Sequence, residues 1–577
     1  MTIIGPDRVP PQLATLLPEI SLVGFDVYRD ETASVVYRGP DLTFSDEELA
    51  RRCAWVTAGA SRSMVRSTTR QLKAERYGGR GIGHNGGGAR CGLSGSLQIK
   101  GTGCNSLRGR DVPADYAHGG MSLFECIQES LWSEVFSHAL PLGAVRTLGV
   151  LGSDEQCWWV TERWGAEALA GRYGSPPNLP RGLLVRPAAL RPAHFERAAL
   201  YRPVGNAREE LQRDLERTRC CLMLLPQLLP APAGGMPKGA SLEEVLEAGL
   251  VEMATRYAMQ SAAAMAKRLV HGNITSSNIC LDGRWIDFGS ATAIPQWGSA
   301  CGYGPFWADQ GIYSDIFSEL VLHCRRFLGI DRAAAERILC TCVGAYGRTH
   351  DEWLTKRFAA TTGVPWILFD DAEGTRRAAV LARTLIRLAR IGGEGYLSPH
   401  PDHHATFGRF RMYELMHALA HCDSDAQRWS VALQELGDVA LASQLSDAYA
   451  SFLLACEGNA RDQGLPPGAL GRLMIICTGK RKEMPSILFR ERMVRRTEEM
   501  VLALEGRALA EAVEGLHAEV RIAARIALDE ADGLRTEVQT SSGRLHVHDA
   551  TADDDLGTVE LAPRRHAAAP TACMQAP

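Results

Sequence analysis

The chain carries two kinds of hydrophobic pattern. The stretch from Leu97 to Lys100, Leu-Gln-Ile-Lys, alternates apolar and polar residues as a strand does, and residues 144–151 and 157–161 predict further strands. Longer segments repeat their apolar residues every three or four positions, which predicts helices. These helical segments cover residues 207–227, 242–270, 316–327 and 375–390.

The start of another helix is marked by Ser122, which has Glu125 three residues after it in the arrangement of a capping box. The helix that follows carries an apolar stripe over residues 123–135. Glu129 lies near the edge of that stripe.

A β-hairpin is predicted at residues 279–286, because two short apolar runs flank an Asp-Gly turn that begins at Asp282. Asn278 directly precedes the first run, and Asp287 directly follows the second. The hairpin would therefore bring the side-chain oxygens of Asn278 and Asp287 together at its open end.

Other parts of the chain carry less regular patterns. Residues 1–60 predict an irregular and helical lead-in, in which Ser45 caps a helix, and the glycines of residues 81–95 predict a loop. Residues 491–532 space leucine and valine at heptad intervals, which predicts a long helix or helix pair packed on the helical C-terminal lobe or on a partner. Residues 536–577 have few large apolar side chains, and we expect them to be disordered.

Composition limits the class of protein and its partners. A chain of 577 residues is long enough for two or more lobes, and 45% hydrophobic with 23% charged residues is ordinary for a soluble protein. The net charge of −4 gives no reason to expect a nucleic acid or a membrane as partner. No signal-peptide pattern and no apolar run of membrane-spanning length are present, so we expect a cytoplasmic protein.

Cysteine and histidine patterns add no metal site. The sixteen cysteines form no Cys-x-x-Cys pair, and we expect them to be reduced. Residues 400–404, His-Pro-Asp-His-His, are interpreted as a polar surface loop rather than as a metal site.

Two segments together indicate a nucleotide–metal site. The first is residues 271–278, His-Gly-Asn-Ile-Thr-Ser-Ser-Asn, followed by Asp-Phe-Gly at Asp287; oxygens of Asn278 and Asp287 would hold a hard cation, Mg²⁺ or Mn²⁺. The second is the strand that ends at Lys100, whose ammonium group would contact the phosphates. Glu129 would pair with Lys100 and position it.

The order of these segments resembles the SelO (YdiU) family of kinase-like proteins. Residues 271–278 are similar to that family's His-Gly-x-x-Asn-Thr-Asp-Asn, and residues 97–103 to its Leu-Gln-Leu-Lys-Gly-Ala-Gly. Three further segments resemble its Gly-Asp-Gly-Arg, its Arg-Ser-x-Ile-Arg-Glu helix and its Arg-Phe-Gly-His-Phe-Glu: residues 87–90, 124–140 and 191–196. The similarity is collinear over residues 75–330, and the Gly-rich segment looks more like a divergent branch of MchC-type proteins.

The resemblance implies an α+β, bilobal protein-kinase-like fold with a mixed small lobe and a mostly helical large lobe. After the lead-in of residues 1–60, the resemblance implies a small lobe over residues 61–230. This lobe holds the Gly-rich loop, the strand lysine and the helix of Glu129. A helical large lobe over residues 231–535 carries the catalytic and metal-binding loops, and the tail of residues 536–577 completes the chain.

The resemblance also implies a reaction and a set of site residues. ATP would bind in a flipped orientation with Mg²⁺ or Mn²⁺, and AMP would pass to a hydroxyl of a protein or peptide acceptor. The metal ligands would be Asn278 and Asp287. The residues implied to contact the nucleotide are Gly87, Ala89, Arg90, Lys100, His118, Gly119, Arg186, Arg191 and Asp287.

The chain departs from the family at the position of the base. The family's proposed base precedes the metal-binding Asn, and here that residue is Ser277, whose hydroxyl cannot act as a base near neutral pH. The kinase position, two residues after His271, holds Asn273. Ser277 and Glu129 are thus the catalytic candidates, and two alternatives stay open. One is a pseudoenzyme scaffold that binds nucleotide without turnover, and the other is a peptide-modifying, kinase-like enzyme of a natural-product pathway.

Overall fold

The chain forms two compact units. In the computed structural model, unit 1 comprises residues 1–354, 393–408 and 484–528, and unit 2 comprises residues 355–392, 409–483 and 529–577. The residues described are 16–60, 68–79, 83–112, 117–157, 179–236, 239–295, 297, 299–301, 304–305, 311–391, 395–396, 411–465, 467–528, 535–539, 544–548 and 555–560. The histidine cluster of residues 400–404 and most of the strand predicted at residues 157–161 lie outside them.

The protein is of the α+β class, with an antiparallel sheet in its N-terminal region and a helical C-terminal region. The strands are β1 Leu22–Arg29, β2 Ser34–Arg38, β3 Trp55–Val56, β4 Thr69–Glu75, β5 Cys91–Ser94, β6 Leu97–Lys100, β7 Met121–Ser122, β8 Gly149–Gln156, β9 Pro180–Pro187, β10 Leu269–Val270, β11 Thr292–Ala293, β12 Ser299–Cys301, β13 Gly304–Pro305, β14 Gly395–Tyr396, β15 Arg535–Gln539, β16 Arg544–His548 and β17 Asp555–Glu560.

The helices are α1 Asp46–Cys53, α2 Leu123–Ala139, α3 Ala207–Leu228, α4 Leu242–Ala266, α5 Gly311–Leu328, α6 Arg332–Ala359, α7 Ala372–Ile391, α8 Met412–Ala420, α9 Asp425–Leu436, α10 Val439–Asp462, α11 Ala469–Arg481, α12 Arg490–Ala503 and α13 Gly506–Leu528. The predicted helices correspond to α3, α4, α5 and α7. Helix α4 ends before its predicted end because Arg268 adopts a positive φ of 60°, after which the chain enters β10.

Unit 1 is built on a nine-stranded sheet with the order β2-β8-β9-β6-β5-β4-β1-β3, in which β7 also pairs with β9. In β6, Leu97 and Ile99 belong to the apolar core on one face of the sheet. Gln98 and Lys100 point to the opposite face, because successive side chains of a strand alternate. The predicted alternation is confirmed. Both faces are buried, however, so the two polar side chains need partners inside the protein.

Helix α2 supplies one of those partners. It packs on β8 and β9, and its predicted capping box is present: the N–H of Glu125 donates to Ser122 Oγ at 3.4 Å, and the N–H of Ser122 donates to the Glu125 carboxylate at 2.9 Å. Its apolar residues Ile127, Leu131 and Val135 lie in the main core of unit 1. The helix is therefore fixed against the sheet face to which Lys100 points.

The prediction of a helical lead-in over residues 1–60 is wrong for most of the described part. Strand β1 pairs with β3 and β4, and β2 pairs with β8, so these strands extend the sheet of β6. Within β1, buried Phe25 and Val27 alternate with exposed Gly24 and Asp26, which is a strand period. Helix α1 forms as predicted, and Ser45 Oγ accepts the N–H of Glu48 at 3.2 Å.

Two other predicted boundaries need correction. The large lobe expected over residues 231–535 is divided, because residues 355–392 and 409–483 belong to unit 2. The tail, expected to be disordered, contains an antiparallel sheet of β15, β16 and β17. Each of β15 and β16 alternates charged or polar residues with Thr, Val or Leu, and this period is lost when composition is averaged over the whole tail.

Unit 2 is mainly helical. Helix α10 packs against α7 and α9, and α8 packs against α11. Among the described residues α10 is long and apolar enough to cross a membrane by length and composition. The 18-residue apolar window of this helix is 44% buried within the protein, and a single such helix is compatible with a soluble protein.

Candidate functional site

Lys100 lies at the centre of a buried cluster that joins three segments of unit 1. Its ammonium group donates to Glu129 Oε2 on α2 at 2.7 Å and also contacts Asp287 Oδ1. Lys100 and Glu129 are each 2% exposed. The predicted meeting of Lys100 with Glu129 is therefore confirmed. Through Asp287, the same ammonium group also reaches the loop that follows the hairpin.

Asp287 adopts an unusual backbone conformation and lies among positive charges. Its φ is 75°, a left-handed conformation that costs a non-glycine residue energy and that occurs most often where structure serves a site. Burial alone would raise the pKa of Asp287, but the charges of Lys100, Arg186 and Arg90 hold it well below its ordinary value. The carboxylate is therefore ionised near neutral pH.

Asn278 lies next to Asp287 through the predicted hairpin. The N–H of Ile286 donates to Asn278 O at 3.1 Å, and the N–H of Cys280 donates to Arg284 O at 2.8 Å around the Asp-Gly turn. The amide nitrogen of Asn278 donates to Asn273 O at 2.9 Å, which leaves its amide oxygen facing Ser277 Oγ at 3.3 Å. The hairpin and the closeness of its two ends are confirmed.

These two residues carry oxygen atoms of the kind that a hard divalent cation prefers. Asn278 offers an amide oxygen, and Asp287 offers the oxygen Oδ2, which has no hydrogen-bond partner among the described residues. Mg²⁺ is commonly held by one or two protein oxygens, with water and phosphate completing its shell. In the described part of the chain, no group of three or more His, Cys, Asp or Glu side chains is arranged to hold a metal.

Glu75, at the end of β4, is the hub of a second buried cluster. It is 1% exposed, and its carboxylate accepts hydrogen bonds from Arg191 Nη2 at 3.5 Å, His194 Nε2 at 3.3 Å and Gln98 Nε2. Burial alone would raise the pKa of Glu75, but the charge of Arg191 and the hydrogen bonds of His194 and Gln98 lower it to about 2. Glu75 is therefore a buried permanent anion.

The two arginines implied to bind the nucleotide are held by protein carboxylates. Arg186 donates to Glu129 Oε1 at 2.9 Å and to Gln98 Oε1 at 2.8 Å. Arg191 pairs with Glu75 and donates to Ser277 O at 3.0 Å. Both side chains are 3% exposed. Both arginines are therefore buried near β6, where their hydrogen bonds support the site.

The contacts connect the two clusters into one network. It runs from Asp287 through Lys100, Glu129 and Arg186 to Gln98, and from there through Glu75 and Arg191 to the carbonyl of Ser277, beside Asn278. Buried polar groups keep their geometry when every member has a partner. The two candidate metal ligands thus lie at the two ends of one hydrogen-bonded chain.

The Gly-rich segment differs from the expected phosphate cradle. The N–H groups of Gly86, Gly88 and Ala89 donate to protein carbonyls at 2.8–2.9 Å, so they are not available to phosphate oxygens. Ala89 is 7% exposed and packs in the core. A Cβ on Gly87, whose φ is 145°, would lie 2.2 Å from Glu75 O, so glycine is required there by a close backbone approach. Three amides of this loop are thus used within the protein, and contact of Gly87 and Ala89 with a nucleotide stays a prediction.

Arg90 keeps a group that is free for a ligand. Its guanidinium has no hydrogen-bond partner among the described residues, and its side chain is partly exposed. Burial would lower the pKa of Arg90, but the negative charge of Asp287 raises it, so the two residues are electrostatic neighbours. An anion bound next to Asp287 and a metal would therefore meet a cation at Arg90.

His118 and Gly119 are placed at the turn before β7. His118 Nδ1 accepts the N–H of Gly120 at 2.9 Å, and Gly119 O accepts the N–H of Gly103 at 3.1 Å. Gly119 has a φ of 69°, and a Cβ there would lie 2.5 Å from Cys104 N. The pair thus closes the turn onto residues 103–104, directly after the strand of Lys100.

The loop of residues 271–278 carries no carboxylate at either expected base position. Ser277 Oγ lies 2.9 Å from Thr275 Oγ1, and the side chain of Asn273 is exposed. His271 is buried among Phe136, Trp285 and Phe288, and burial lowers the pKa of His271 to about 4. Its Nε2 donates to Ile286 O at 3.0 Å, so it supports the loop as a neutral ring.

Sequence reasoning missed four polar residues that hold the site, namely Glu75, Gln98, His194 and Glu196. Glu196 accepts a hydrogen bond from Ser276 Oγ at 2.7 Å and so anchors the loop of residues 271–278. One signal was available in the sequence: Gln98 stands two residues before Lys100, on the same face of the strand. The partners of the other three lie far away in the chain.

Comparisons with known proteins leave the family open. No family model matches the chain, and no curated protein matches it in a sequence search.

Proposed function

We propose that this protein binds ATP with Mg²⁺ or Mn²⁺ and transfers AMP to a hydroxyl group of a protein or peptide. The observation that carries the proposal is the buried contact of Lys100 with both Glu129 and Asp287, beside Asn278. A lysine held by a helix glutamate, close to an Asn–Asp oxygen pair, is the arrangement that phosphoryl-transfer sites use.

Each residue has a defined task in this proposal. Asn278 and Asp287 would hold the cation, which when bound neutralises charge on the phosphates. Lys100 and the unpaired guanidinium of Arg90 would contact phosphate oxygens. Glu129 fixes the position of the Lys100 ammonium group, which lowers the ordering cost of its contact with the phosphates.

A bilobal, protein-kinase-like fold is part of the proposal. Support comes from the order of elements in unit 1: an antiparallel sheet that carries Lys100, a helix that carries Glu129, and then the hairpin of Asn278 and Asp287 followed by helices. The resemblance to SelO proteins adds the same order of motifs. The buried apolar contact of Phe288 with Phe136 on α2 ties the hairpin's end to the helix of Glu129.

The transfer of AMP, and not of the terminal phosphate, is supported by the resemblance and by Arg90. In this reaction the acceptor oxygen bonds to the α-phosphorus, the bond to the β-phosphate bridge breaks, and pyrophosphate leaves. The hydroxyl proton passes to water, since Ser277 and Asn273 supply no base. Arg186 and Arg191 support the site through their ion pairs with Glu129 and Glu75.

A pseudoenzyme that binds nucleotide without turnover is the second candidate. The observation that favours it is the absence of a carboxylate at Ser277 and Asn273, the two positions expected for a base. Against it stands the full set of Lys100, Glu129, Asn278 and Asp287, which a pure scaffold does not need. A kinase-like enzyme that modifies a dedicated peptide would use the same set with phosphate transfer.

The remaining parts of the proposal concern partners and location. The acceptor is a protein or a peptide, and neither a nucleic acid nor a membrane is a partner, given the net charge of −4. A cytoplasmic location is supported by the soluble character of the composition.

The test uses purified full-length protein, Mn²⁺ and ATP labelled with ³²P at either the α or the γ position. We expect α-label to enter an acceptor, or the protein itself, as an added AMP by intact mass, and γ-label to enter nothing. Asp287→Ala should abolish labelling, and Asp351→Ala, an exposed aspartate outside the site, should retain it. Incorporation of γ-label would establish kinase chemistry instead. ATP binding without either label would favour the pseudoenzyme.

A further inference from the structure

The C-terminal helix pair of unit 1, α12 and α13, packs on the helix that carries Glu129. Both helices contact α2, and α13 also contacts β2. Val513, Leu516 and Val520 of α13 share the apolar core of unit 1 with Leu131 of α2. The heptad pattern predicted for residues 491–532 therefore covers the sheet region. Helix α12 also reaches the predicted C-terminal lobe, because the N–H of Arg490 donates to Thr292 Oγ1 at 3.1 Å. Packing of these helices on a partner stays a prediction.

A polar contact lies inside this apolar interface, directly beside Glu129. His517 of α13 is 1% exposed, and its Nε2 lies 3.0 Å from Oγ of Ser130, the residue that follows Glu129. The His517 ring also stacks on Tyr37 of β2, with 3.7 Å between ring centroids and 5° between planes. His517 therefore joins α13, α2 and an edge strand of the sheet at one point.

A second polar contact lies one helical turn further along α2. Arg521 of α13 donates to Glu134 Oε1 at 3.0 Å. The same carboxylate pairs with Arg146 and with His138 Nε2 at 3.0 Å. Residues 517 and 521 lie four apart on one face of α13 and meet residues 130 and 134, which lie four apart on α2. Two matched contacts on successive turns set both the rotation and the axial position of α2.

The rotation of α2 decides where the carboxylate of Glu129 lies. A helix turns by about 100° per residue, so Ser130 faces α13 while Glu129 faces β6. Ser130 and Glu129 are neighbours on a stiff helix, so a contact that holds Ser130 also holds Glu129 against Lys100 and Arg186. Loss of the His517 contact would let α2 rotate or shift away from β6.

We propose that His517 is a positioning residue for the site: α13 holds α2 in register, and α2 in turn holds Glu129 on Lys100. The kinetic consequence rests on the proposed function, whereas the structural consequence does not. His517 contacts no candidate ligand group and is distant in sequence from every residue of the site. The C-terminal segment 484–528 therefore supports the site of unit 1 through α2 and contacts none of its ligand groups.

The test compares the full-length variants His517→Ala and Ser130→Ala with Arg507→Ala. Arg507 is on the same helix, is 92% exposed and contacts only Glu511, so Arg507→Ala is the matched control. Hydrogen–deuterium exchange is measured on peptides of residues 123–139, and AMP transfer is measured with Mn²⁺ and ATP. We expect about ten-fold faster exchange in α2 for His517→Ala, less for Ser130→Ala, and no change for Arg507→Ala.

Two further comparisons separate positioning from a general loss of stability. His517→Gln keeps a group that can bond to Ser130, and it should recover most of the AMP transfer that His517→Ala loses. In a Glu129→Ala background, His517→Ala should lower transfer no further, because residues that act through one pair are non-additive. Equal additive losses in both backgrounds, or unchanged exchange in α2 for His517→Ala, would overturn the proposal.

The two proposals fail in distinguishable ways. If the wild-type protein transfers no AMP, the proposed reaction fails, and exchange in α2 still decides whether His517 positions that helix. If wild-type transfer is present and His517→Ala leaves both transfer and exchange unchanged, the positioning role fails alone.

Discussion

Glu129→Gln tests how strongly the buried charge network depends on one carboxylate. Glu129 is 2% exposed and pairs with Lys100 at 2.7 Å and Arg186 at 2.9 Å. Glutamine has nearly the same shape but no charge, so the substitution changes electrostatics with little change in packing. Glu48→Gln is the matched control, because Glu48 also pairs with two arginines, but on the surface.

The size of the destabilisation depends on the partners that Lys100 and Arg186 retain in the variant. After Glu129→Gln, Lys100 still contacts Asp287, whereas Arg186 keeps only a hydrogen bond to the neutral Gln98. One buried charge is thus left without a counter-ion. Breaking a buried pair in this way costs about 3–5 kcal/mol, and the surviving contacts favour the lower end. The pairs of Glu48 lie at the surface, where water and salt screen them, so they contribute little.

The measurement must be regional, because a chain with two compact units does not unfold in one step. Native-state hydrogen exchange of amides in α2 and β6 reports the local free energy of opening. A loss of 3 kcal/mol corresponds to roughly hundred-fold faster exchange there. Glu48→Gln should accelerate exchange in α1 by less than about ten-fold.

Similar acceleration in the two variants would refute the reasoning that burial, and not the number of ion pairs, sets the energy of this cluster. A second readout is the thermal shift caused by ATP with Mn²⁺. Glu129→Gln should reduce this thermal shift and Glu48→Gln should not, because Glu129 contacts Lys100 and Glu48 does not.

Three other predictions follow from the site. Asp287→Ala should abolish the metal-dependent part of the thermal shift caused by ATP, and an unchanged shift would remove Asp287 from the metal site. Ser277→Asp should increase AMP transfer, by less than the 10²–10⁴-fold of a well-placed base, since the new carboxylate lies beside Asn278; a fall in rate measured by α-label would show that no base is needed there. The depressed pKa of Glu75, about 2 against an ordinary 4.5, contributes stability that is complete above pH 4.5 and lost as pH falls towards 2. Its size is about 3 kcal/mol, and Glu75→Gln should flatten this part of the pH profile of regional hydrogen exchange, whereas an unchanged profile would contradict the role of Glu75.

Local features of the site were accessible from the sequence. The capping box at Ser122, the Asp-Gly hairpin between Asn278 and Asp287, and the alternation before Lys100 each depend on residues within a few positions of one another. Such short-range rules fix which way a side chain points relative to its own strand or helix. The meeting of Lys100 with Glu129 was predicted through the order of motifs, and the structure confirms the contact.

The partners of the arginines could not be predicted in this way. Arg186 and Arg191, for which nucleotide contact stays a prediction, pair with Glu129 and Glu75. A sequence shows that an arginine is present, but the choice between a ligand phosphate and a protein carboxylate depends on which group shares its buried space. The acceptors of the Gly-rich loop were likewise not predictable, since the N–H of Gly88 donates to the carbonyl of Glu75 on another strand.

The sequence by itself thus determined the elements that carry Lys100, Glu129, Asn278 and Asp287, because helix caps, turns and strand periods act over a few residues. Only the tertiary structure decided that β2 pairs with β8, that Glu75 pairs with Arg191 beside the carbonyl of Ser277, and that α13 packs on α2. Those contacts join residues more than a hundred positions apart. Their energy comes from excluding water around paired charges and apolar surfaces, which exists only once the chain has folded.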